Sequence, residues 1–341
     1  MPTGRVWGYS FGDYFYKTGG DTARWGNAQY GNEAKDMHAG ELRRLYLGYD
    51  YNYSRRIFSR VLLEANTGTT FAGGSYGLLV KLGYVSWRDP LPSLPVTVNV
   101  GLIPTPVFTL PERTWGYRSI EKEALDVRGF GPSADQGVSV EGTMGKNGGF
   151  SLMVGNGSGT KPATERAKAV YGSIFRRFPD KKLTVELMAS FLPKSGDRDR
   201  TIDRLFVSYE PDFAKFGLEV ARVRDQSPAD LREVSGTEAR RLLASGFVSV
   251  PLRRDSVGVG ISIFARYDFY DPDRDFAAGK GYVLPEPFYT QKLYIFGLDI
   301  APLPRVHVMP NLWMMTYRAR GGAVSRDADV VARMTFYFIF G

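Results

Sequence analysis

Residues 256 to 270 read SVGVGISIFARYDFY, and in this run apolar residues alternate with small or charged ones. The apolar set extends from Val257 to Phe269, and the other set includes Gly258 and Arg266. Because successive side chains of a β-strand point to opposite faces, one face of this segment is apolar and the other is small or polar. The stretch therefore predicts a β-strand that separates an apolar environment from a polar one.

The same alternation recurs along the whole chain, whereas a helical period is almost absent. No stretch approaches the ~18 consecutive apolar residues of a membrane-spanning helix. Most of the alternating segments have close to the ~9–11 residues that a tilted strand needs to cross a bilayer. We predict sixteen strands, at residues 5–17, 40–53, 56–66, 78–87, 95–103, 136–145, 149–155, 167–177, 183–192, 200–210, 213–224, 242–250, 257–270, 291–300, 305–317 and 329–340.

The connections between these segments alternate in length, with short turns between the long loops. Long loops lie at 18–39, 67–77, 104–135, 156–166, 193–199, 225–241, 271–290 and 318–328. An outer-membrane barrel has an even number of strands, short periplasmic turns and long extracellular loops. The sequence thus predicts an all-β fold, a transmembrane antiparallel β-barrel of about sixteen strands that forms a single domain over residues 1–341.

Composition narrows the functional classes. The chain has 341 residues, no Cys, two His and a formal charge of +8. The lack of Cys excludes a disulfide scaffold, a Cys-ligated zinc site and a thiol nucleophile. Neither His38 nor His307 has a recognisable Ser or Asp constellation around it, and the basic residues are dispersed along the chain. We therefore predict that the protein is not an enzyme, needs no cofactor and binds no nucleic acid.

The N-terminal residues Met1-Pro2-Thr3-Gly4-Arg5 have neither the basic region nor the apolar region of a signal peptide. An outer-membrane protein must be exported, so we predict the mature form of a bacterial outer-membrane protein, with no signal peptide in this chain. A cytosolic protein is the alternative. The alternation has more weight than the missing leader, because a leader is separable from the chain that folds.

The longest loop, 104–135, is the main candidate for a functional segment. A barrel of sixteen strands leaves an aqueous channel, and a loop of this length can fold inward and narrow it. Charged side chains at such a constriction set its selectivity. An ordinary surface loop is the alternative. Residues 119–126 (SIEKEALD) predict a short helix with Ser119 as its N-cap. The candidate constriction residues are Glu112, Arg113, Arg118, Glu121, Lys122 and Glu123, with Arg113, Arg118 and Lys122 facing Glu121 and Glu123.

Charged residues of inward parity are predicted to line the lumen, because a charge at membrane depth should face water. The candidate cations are Arg44, Arg60, Lys81, Arg204, Arg266 and Arg333. The carboxylates of the same parity are Asp50, Glu64, Glu141, Glu186, Glu219, Asp268 and Asp299. Six cations nearly balance seven carboxylates, so the sequence favours neither sign of ion. A lumen plugged by ion pairs is the alternative.

Asp271, Asp273 and Asp275 have the spacing that opens a calcium-binding loop. Phe276 and Tyr282 stand where such a loop needs its Gly and its closing Glu, so we predict no EF-hand. A looser calcium site on the three carboxylates is the alternative to a solvated acidic loop.

Residues 98–108 (VNVGLIPTPVF), followed by Glu112-Arg113 and by residues 133–138 (SADQGV), resemble the phosphate-selective porin O/P type. Such porins tend to show a strand ending in Gly, a Pro-aromatic segment, an acidic-basic pair and an Asp-x-Gly that enters the next strand. The resemblance implies a 16-stranded bacterial outer-membrane porin, often trimeric, that passes small solutes by diffusion. Phosphate selectivity is not carried over, because the basic ladders on which it rests do not map onto this chain.

We therefore predict an outer-membrane porin for passive diffusion of small hydrophilic solutes or ions through a water-filled lumen. The predicted partners are outer-membrane lipid and these solutes, with a homotrimer and envelope-complex subunits as further possible partners. The alternative is a non-conducting outer-membrane barrel that acts as a surface receptor or as a structural subunit of an envelope complex. A soluble all-β binding protein is the third candidate.

Overall fold

A computed structural model describes residues 2–23, 28–71, 73–90, 94–163, 166–193, 199–226, 238–255 and 259–341. Parts of six predicted connections, at 24–27, 72, 91–93, 164–165, 194–198 and 227–237, lie outside the described residues. So does 256–258, where the thirteenth predicted strand begins. Each described strand coincides with a predicted one. The strands are β1 (Thr3–Gly19), β2 (His38–Asn52), β3 (Ile57–Thr70), β4 (Tyr76–Arg88), β5 (Val96–Pro104), β6 (Ala134–Met144), β7 (Gly148–Gly155), β8 (Ala169–Phe178), β9 (Leu183–Leu192), β10 (Arg200–Tyr209), β11 (Lys215–Gln226), β12 (Glu238–Arg254), β13 (Gly260–Asp271), β14 (Tyr289–Leu303), β15 (Val306–Ala319) and β16 (Asp329–Phe340).

The strands form a closed barrel. Each strand pairs antiparallel with its neighbours in sequence, and β16 returns to β1, where Gly8 lies opposite Phe340 and Gly19 opposite Val330. Closure leaves none of the described strands with an open edge, which in lipid would expose unpaired backbone groups. The predicted fold class, an antiparallel barrel of sixteen strands, is confirmed.

The outer wall carries the apolar set of alternating residues. Leu187 and Leu205, which lie opposite each other on β9 and β10, are 56% and 43% exposed. Their neighbours Glu186 and Arg204 point inward and are each 3% exposed. A continuous apolar outer surface of this kind is rare on soluble proteins and fits a wall that is covered by lipid.

Two short helices lie between β5 and β6, α1 (Thr109–Trp115) and α2 (Ala124–Val127). Single 3₁₀ turns lie at Pro179–Lys181, Ala278–Lys280 and Glu286–Phe288. Among the described residues, no helix is both long enough and apolar enough to span a membrane.

The helix predicted over 119–126 is wrong at its start. α2 begins at Ala124, and Glu123 rather than Ser119 is its N-cap, accepting hydrogen bonds from the backbone N–H groups of Leu125 and Asp126 at 2.9 and 3.2 Å. The backbone carbonyl groups of residues 119 and 120, which precede α2, accept hydrogen bonds from the side chain of Arg43 in the barrel wall. Tertiary contacts thus replace the expected first helical turn.

Two inward-facing cations, Arg43 and Lys81, are the extra residues of β-bulges. In β2, Arg44 lies opposite Phe11 of β1 and Leu42 lies opposite Gly12, which leaves Arg43 as the extra residue. In β4, Lys81 is the extra residue between Val80 and Leu82. A bulge changes the direction of a side chain, so the consecutive residues Arg43 and Arg44 both point into the barrel.

Candidate functional site

The 104–135 segment lies between opposite walls of the barrel. β2 and β10 are eight strands apart in the closed ring of sixteen, so a segment that contacts both crosses the interior. Hydrogen bonds from charged donors are the strong class, and several of them hold the backbone of this segment. Three join it to three different strands of the wall. They run from Arg43 of β2 to Ser119 O, from Arg204 of β10 to Val107 O, and from Arg266 of β13 to Lys122 O at 2.5 Å.

Apolar side chains of the segment pack onto the same walls. The Trp115 ring is 2% exposed, and its centroid lies 5.2 Å from that of Phe247 on β12 and 6.1 Å from that of Phe264 on β13. Val107 and Leu125 are fully buried in a second cluster with side chains of β7 to β13. Burial of large apolar groups is the main stabilising contribution to such an interface, so packing fixes the position of the segment together with the hydrogen bonds.

Local contacts determine the path of the segment. Thr105 Oγ1 donates to Pro132 O at 2.6 Å and joins the two ends of the segment next to the wall. Thr109 Oγ1 donates to Thr105 O at 2.8 Å at the start of α1. Gly116 ends α1 with φ of 75°, a left-handed conformation that favours glycine. The chain therefore reverses after α1 and brings residue 118 back toward the first strands.

A cavity of about 450 Å³ separates one side of the segment from the wall near β1 and β16. A second cavity of about 400 Å³ lies beneath the segment, toward the short turns. Gly116 lines both cavities, so they lie next to each other at the end of α1. The residues of the first cavity that matter for its chemistry are Tyr9, Phe11, Tyr337, Glu112, Arg113 and Arg118.

Arg118 is the central cation on the segment side of the first cavity. Its Nε lies 2.9 Å from Glu112 Oε2, and its Nη2 lies 3.6 Å from Asp126 Oδ2. Arg118 also interacts electrostatically with Arg44 and Lys81 across the cavity. Charges of the segment and of the wall therefore face the same space.

On the wall side, a buried carboxylate holds two cations together. Lys81 Nζ lies 3.3 Å from Glu64 Oε2, and Arg44 donates to the other oxygen of Glu64. Lys81 Nζ also donates to Ser133 Oγ at 2.8 Å, which joins the wall to the end of the segment. Glu64 is 1% exposed, whereas Arg44 and Lys81 are half-buried, so the cations are the more accessible members of this group, and Lys81 reaches the cavity lining at Ser133.

The predicted arrangement, in which three cations of the segment face Glu121 and Glu123, differs from the contacts in the structure. Arg118 pairs with Glu112 and another carboxylate, while Glu123 is used as a helix cap. Glu121 Oε1 accepts from the backbone N–H of Lys122 at 3.0 Å. Burial lowers the pKa of Lys122 to about 8, although Asp126 acts against this shift. Arg113 is exposed on the segment and lines the first cavity.

The six predicted lumen cations fall into two groups. Arg44, Arg60 and Lys81 are half-buried, and Arg60 makes a two-pronged pair with Asp50 at 2.7 Å for both bonds. Arg204, Arg266 and Arg333 are buried. The first two of these contact the segment, and Arg333 Nε donates to Asn311 Oδ1 at 2.8 Å. Inward parity therefore identifies some residues that anchor the segment and others that border the cavity.

Two carboxyl groups meet where the segment contacts β11. Glu123 and Glu219 interact with each other and are 2% and 3% exposed. The nearby Arg266 already pairs with Asp268 at 2.7 Å, and Arg204 already pairs with a carboxylate of β9. Burial, with the adjacent charge of Glu219, raises the pKa of Glu123 well above its usual range. This environment therefore favours the protonated form of Glu123.

Sequence reasoning missed a buried group formed by the first strands and the loop after β1. Arg43 Nε lies 2.6 Å from Asp13 Oδ2. Tyr30 donates to the same carboxylate at 2.9 Å and stacks on Phe15 with centroids 3.9 Å apart. Parity placed Arg43 on the outer face, and only the bulge in β2 turns it inward. The inward position of Tyr30 has no local sequence signal beyond its being an aromatic residue in a polar loop.

Asp271, Asp273 and Asp275 do not converge on one point. Their carboxylates pair with three different cations, respectively Arg320 at 2.9 Å, Lys280 at 2.5 Å and Arg240 at 2.7 Å. Within the described ranges, no group of three or more His, Cys, Asp or Glu residues could hold a metal ion.

The two histidines lie in different places. His38 Nδ1 is 2.9 Å from Tyr14 Oη, and His307 Nδ1 is 2.7 Å from Asp299 Oδ1. The second pair borders the cavity beneath the segment.

Neither a protein-family model nor a curated protein sequence matches this chain. Among solved structures, the anion-selective porin from Comamonas acidovorans is similar, with a TM-score of 0.64 and 12% identity over 100% of both chains. The outer-membrane channel DcaP of Acinetobacter baumannii has a TM-score of 0.71 at 10% identity, covering 99% of this chain and 97% of its own. OmpT of Vibrio cholerae in its trimer form has a TM-score of 0.62 at 10% identity over 100% of both chains. At these identities the likeness establishes the fold, which is that of bacterial outer-membrane porins.

Proposed function

We propose that this protein is a bacterial outer-membrane porin through which small hydrophilic solutes or ions diffuse passively. The 104–135 segment is the proposed constriction. The proposed path runs between it and the wall near β1 and β16, and then past β12 to β15 on the short-turn side. The observation that carries the proposal is the pair of neighbouring cavities that share Gly116. A solute path through both would pass the segment from the long-loop end toward the short-turn end.

We further propose that the path prefers small anions. Beside the first cavity the cations are Arg44, Lys81, Arg113, Arg118 and Lys122, and the carboxylates are Glu64, Glu112 and Asp126. Around the second cavity the cations are Lys215 and Arg253, and the carboxylates are Glu210, Asp212 and Asp299. The difference over both cavities, 7 − 6, is an excess of one positive charge, and this excess lies at the first cavity. Cations in a narrow aqueous path between low-dielectric walls raise the local concentration of anions. Phosphate selectivity is not part of the proposal.

The proposed location is the bacterial outer membrane, with the long loops outside and the short turns in the periplasm. A homotrimer is the proposed assembly, supported by the trimer form in which the similar Vibrio cholerae protein is described. Diffusion needs no covalent step, and the proposal includes no enzymatic activity and no cofactor.

One observation favours a second candidate, a non-conducting barrel that acts as a surface receptor or envelope subunit. Trp115, Ile120 and Leu125 fill much of the interior with apolar packing. Three of the predicted lumen cations are buried under or beside this packing. A barrel filled in this way could be closed.

Conductance in planar lipid bilayers separates the two candidates. For a porin we expect stepwise insertion with an ohmic conductance, and a reversal potential in a KCl gradient that shows preference for chloride. Insertion of folded barrel without any current contradicts the porin and supports the receptor or envelope subunit. Cross-linking of the detergent-solubilised protein tests the trimer separately.

A further inference from the structure

The outer wall carries an apolar groove across β7 to β11. Its floor is formed by Gly172 and Ala189, which lie opposite each other on β8 and β9. Because both residues are small, the larger side chains around them leave a groove of about 850 Å³. Those larger side chains are apolar and exposed, namely Leu152, Ile174, Leu187, Leu205 and Val220. The groove has the shape and polarity that suit an alkyl chain.

A polar recess of about 560 Å³ lies beside this groove, near the long-loop ends of β10 to β12. Arg222 and Arg224 of β11 and Arg240 of β12 contribute to it, and all three belong to the exposed, outward set of their strands. Arg224 and Arg240 lie directly opposite each other in the ladder. Like charges at opposed positions destabilise a sheet, and an anion between them removes the repulsion.

The groove and the recess form one continuous surface, because Asp203 and Arg222 line both. A ligand with an apolar chain and an anionic head could therefore occupy both parts at once. The acidic neighbours compete weakly, because their pairs with the arginines are exposed. Arg224 is 3.9 Å from Asp203, and Arg240 is 2.7 Å from Asp275 and 3.4 Å from Glu238. Water solvates both partners of such exposed pairs, whereas a guanidinium binds phosphate through two parallel hydrogen bonds.

The three arginines form a cluster on two neighbouring strands. At the corresponding end of β1 the outward positions hold Tyr14 and Tyr16, which are 55% and 40% exposed, and then Thr18. The aromatic rings there suit the headgroup level of any bilayer. At the same end of β14 and β15 the outward cations are Lys292 and Arg318. A charged headgroup gives a reason for the cluster of three.

We propose that this surface binds a phosphate-bearing lipid of the membrane, with an acyl chain in the groove and the phosphate on Arg222, Arg224 and Arg240. The inference rests on the proposed outer-membrane location and orientation, which place these arginines at the level of the outer headgroups. It does not depend on whether the barrel conducts.

Native mass spectrometry of the full-length barrel in a neutral maltoside detergent tests the proposal. The probes are dimyristoyl phosphatidate, dimyristoyl phosphatidylcholine with the same chains, and glycerol phosphate without chains. We expect phosphatidate adducts to survive detergent removal at least tenfold better than phosphatidylcholine adducts. The triple variant Arg222→Gln, Arg224→Gln, Arg240→Gln should lose this preference, and Ala189→Phe, which fills the groove, should weaken phosphatidate binding.

The matched control is the double variant Lys292→Gln, Arg318→Gln, which removes exposed outward cations from β14 and β15. It should bind phosphatidate as the wild type does, and circular dichroism should show folded barrels throughout. Equal retention of both lipids, an unchanged triple variant, or the same loss in the control overturns the proposal. Glycerol phosphate binding as tightly as phosphatidate shows a simple anion site and also overturns it. So does self-association of the barrel that the Arg variants abolish, because that assigns the surface to a second copy.

Discussion

Glu123 of the 104–135 segment and Glu219 of β11 are interacting carboxyl groups that are both buried. Two ionised carboxylates next to each other would repel, and the nearby Arg204 and Arg266 are paired with other carboxylates. A proton on one carboxyl group relieves the repulsion, as it does in other like-charged pairs. The contact between the segment and the wall therefore depends on the protonation of this pair.

Replacing Glu219 with Gln should weaken the pH dependence of this contact, because it removes the adjacent charge and leaves the burial of Glu123. Burial raises the pKa of Glu123, so the folded barrel retains a proton that the unfolded chain releases. This contribution to stability is fully present below the ordinary pKa of Glu and is lost as pH rises through the raised value. Within that window the free energy of unfolding falls by about 1.4 kcal/mol per pH unit for one proton.

Thermal unfolding is followed by circular dichroism at pH values from about 5 to about 9, and it measures how the melting temperature depends on pH. The melting temperature of the wild type should fall with rising pH more steeply than that of Glu219→Gln. Glu210→Gln makes the same charge change near the short turns, outside the buried pair, and should retain the wild-type slope. Identical slopes for all three proteins would show that Glu219 does not affect the protonation of Glu123.

Replacing Gly116 with Asn should lower the conductance. Residue 116 has φ of 75°, which Asn tolerates better than other side chains, and the space around its Cβ position is open. The new side chain extends into the region where the two cavities lie next to each other. We expect the single-channel conductance to fall by about half or more, because the Asn side chain narrows a path that is only a few water molecules wide.

Gly145→Asn is the matched control for this substitution. Gly145 has φ of 64° in the short turn between β6 and β7 and has open space around its Cβ position. It lies away from the two cavities, so its conductance should equal that of the wild type. Equal conductance for both variants would place the solute path elsewhere.

Replacing Arg118 with Gln should reduce the preference for anions. The substitution removes a central cation and leaves Glu112 and Asp126 without its charge. The local balance changes from an excess of cations toward neutrality, and the chloride-to-potassium permeability ratio should fall severalfold. Reversal potentials in a KCl gradient measure this ratio. Arg5→Gln, at the exposed short-turn end of β1, serves as the control and should keep the wild-type ratio.

Lys122 should make the same preference depend on pH. Burial lowers its pKa to about 8, so it is cationic at pH 7 and mostly neutral one unit above that pKa. Anion preference should therefore decline as pH rises through about 8. Lys122→Arg keeps the positive charge at all these pH values and should flatten the curve. A curve that is unchanged in Lys122→Arg would assign the titration to another group, such as the Glu123–Glu219 pair.

The strands could be predicted from the sequence because their signal is local. Alternation along 256–270 needs only the pleat of a strand and an apolar surrounding, and the same rule locates Leu187 and Leu205 on the outer wall. Charges of inward parity such as Arg204 and Arg266 follow from the rule as well. Neither inference requires knowledge of what lies across the barrel.

The arrangement inside the barrel could not be predicted in the same way. Arg43 turns inward through a bulge that the alternation does not reveal, and its partner Asp13 is on another strand. The partner of Glu123 lies 96 residues further along the chain (219 − 123), on β11. α1 contains Pro111, which favours a loop in a sequence pattern but fits the first turn of a helix. These features depend on contacts between distant residues.

The contacts of the 104–135 segment also order the events of folding. The segment follows β5, yet it is held by Arg43 from the first strands and by Arg204 and Arg266 from strands that follow it. Trp115 has no burial site until β12 and β13 have been added. Such long sequence separations slow folding, because the chain must be brought together before the contacts compensate for its lost entropy. Interior packing and the final closure of the wall are therefore coupled. In an incomplete barrel the Trp115 side chain is still exposed, whereas in the closed barrel it is buried.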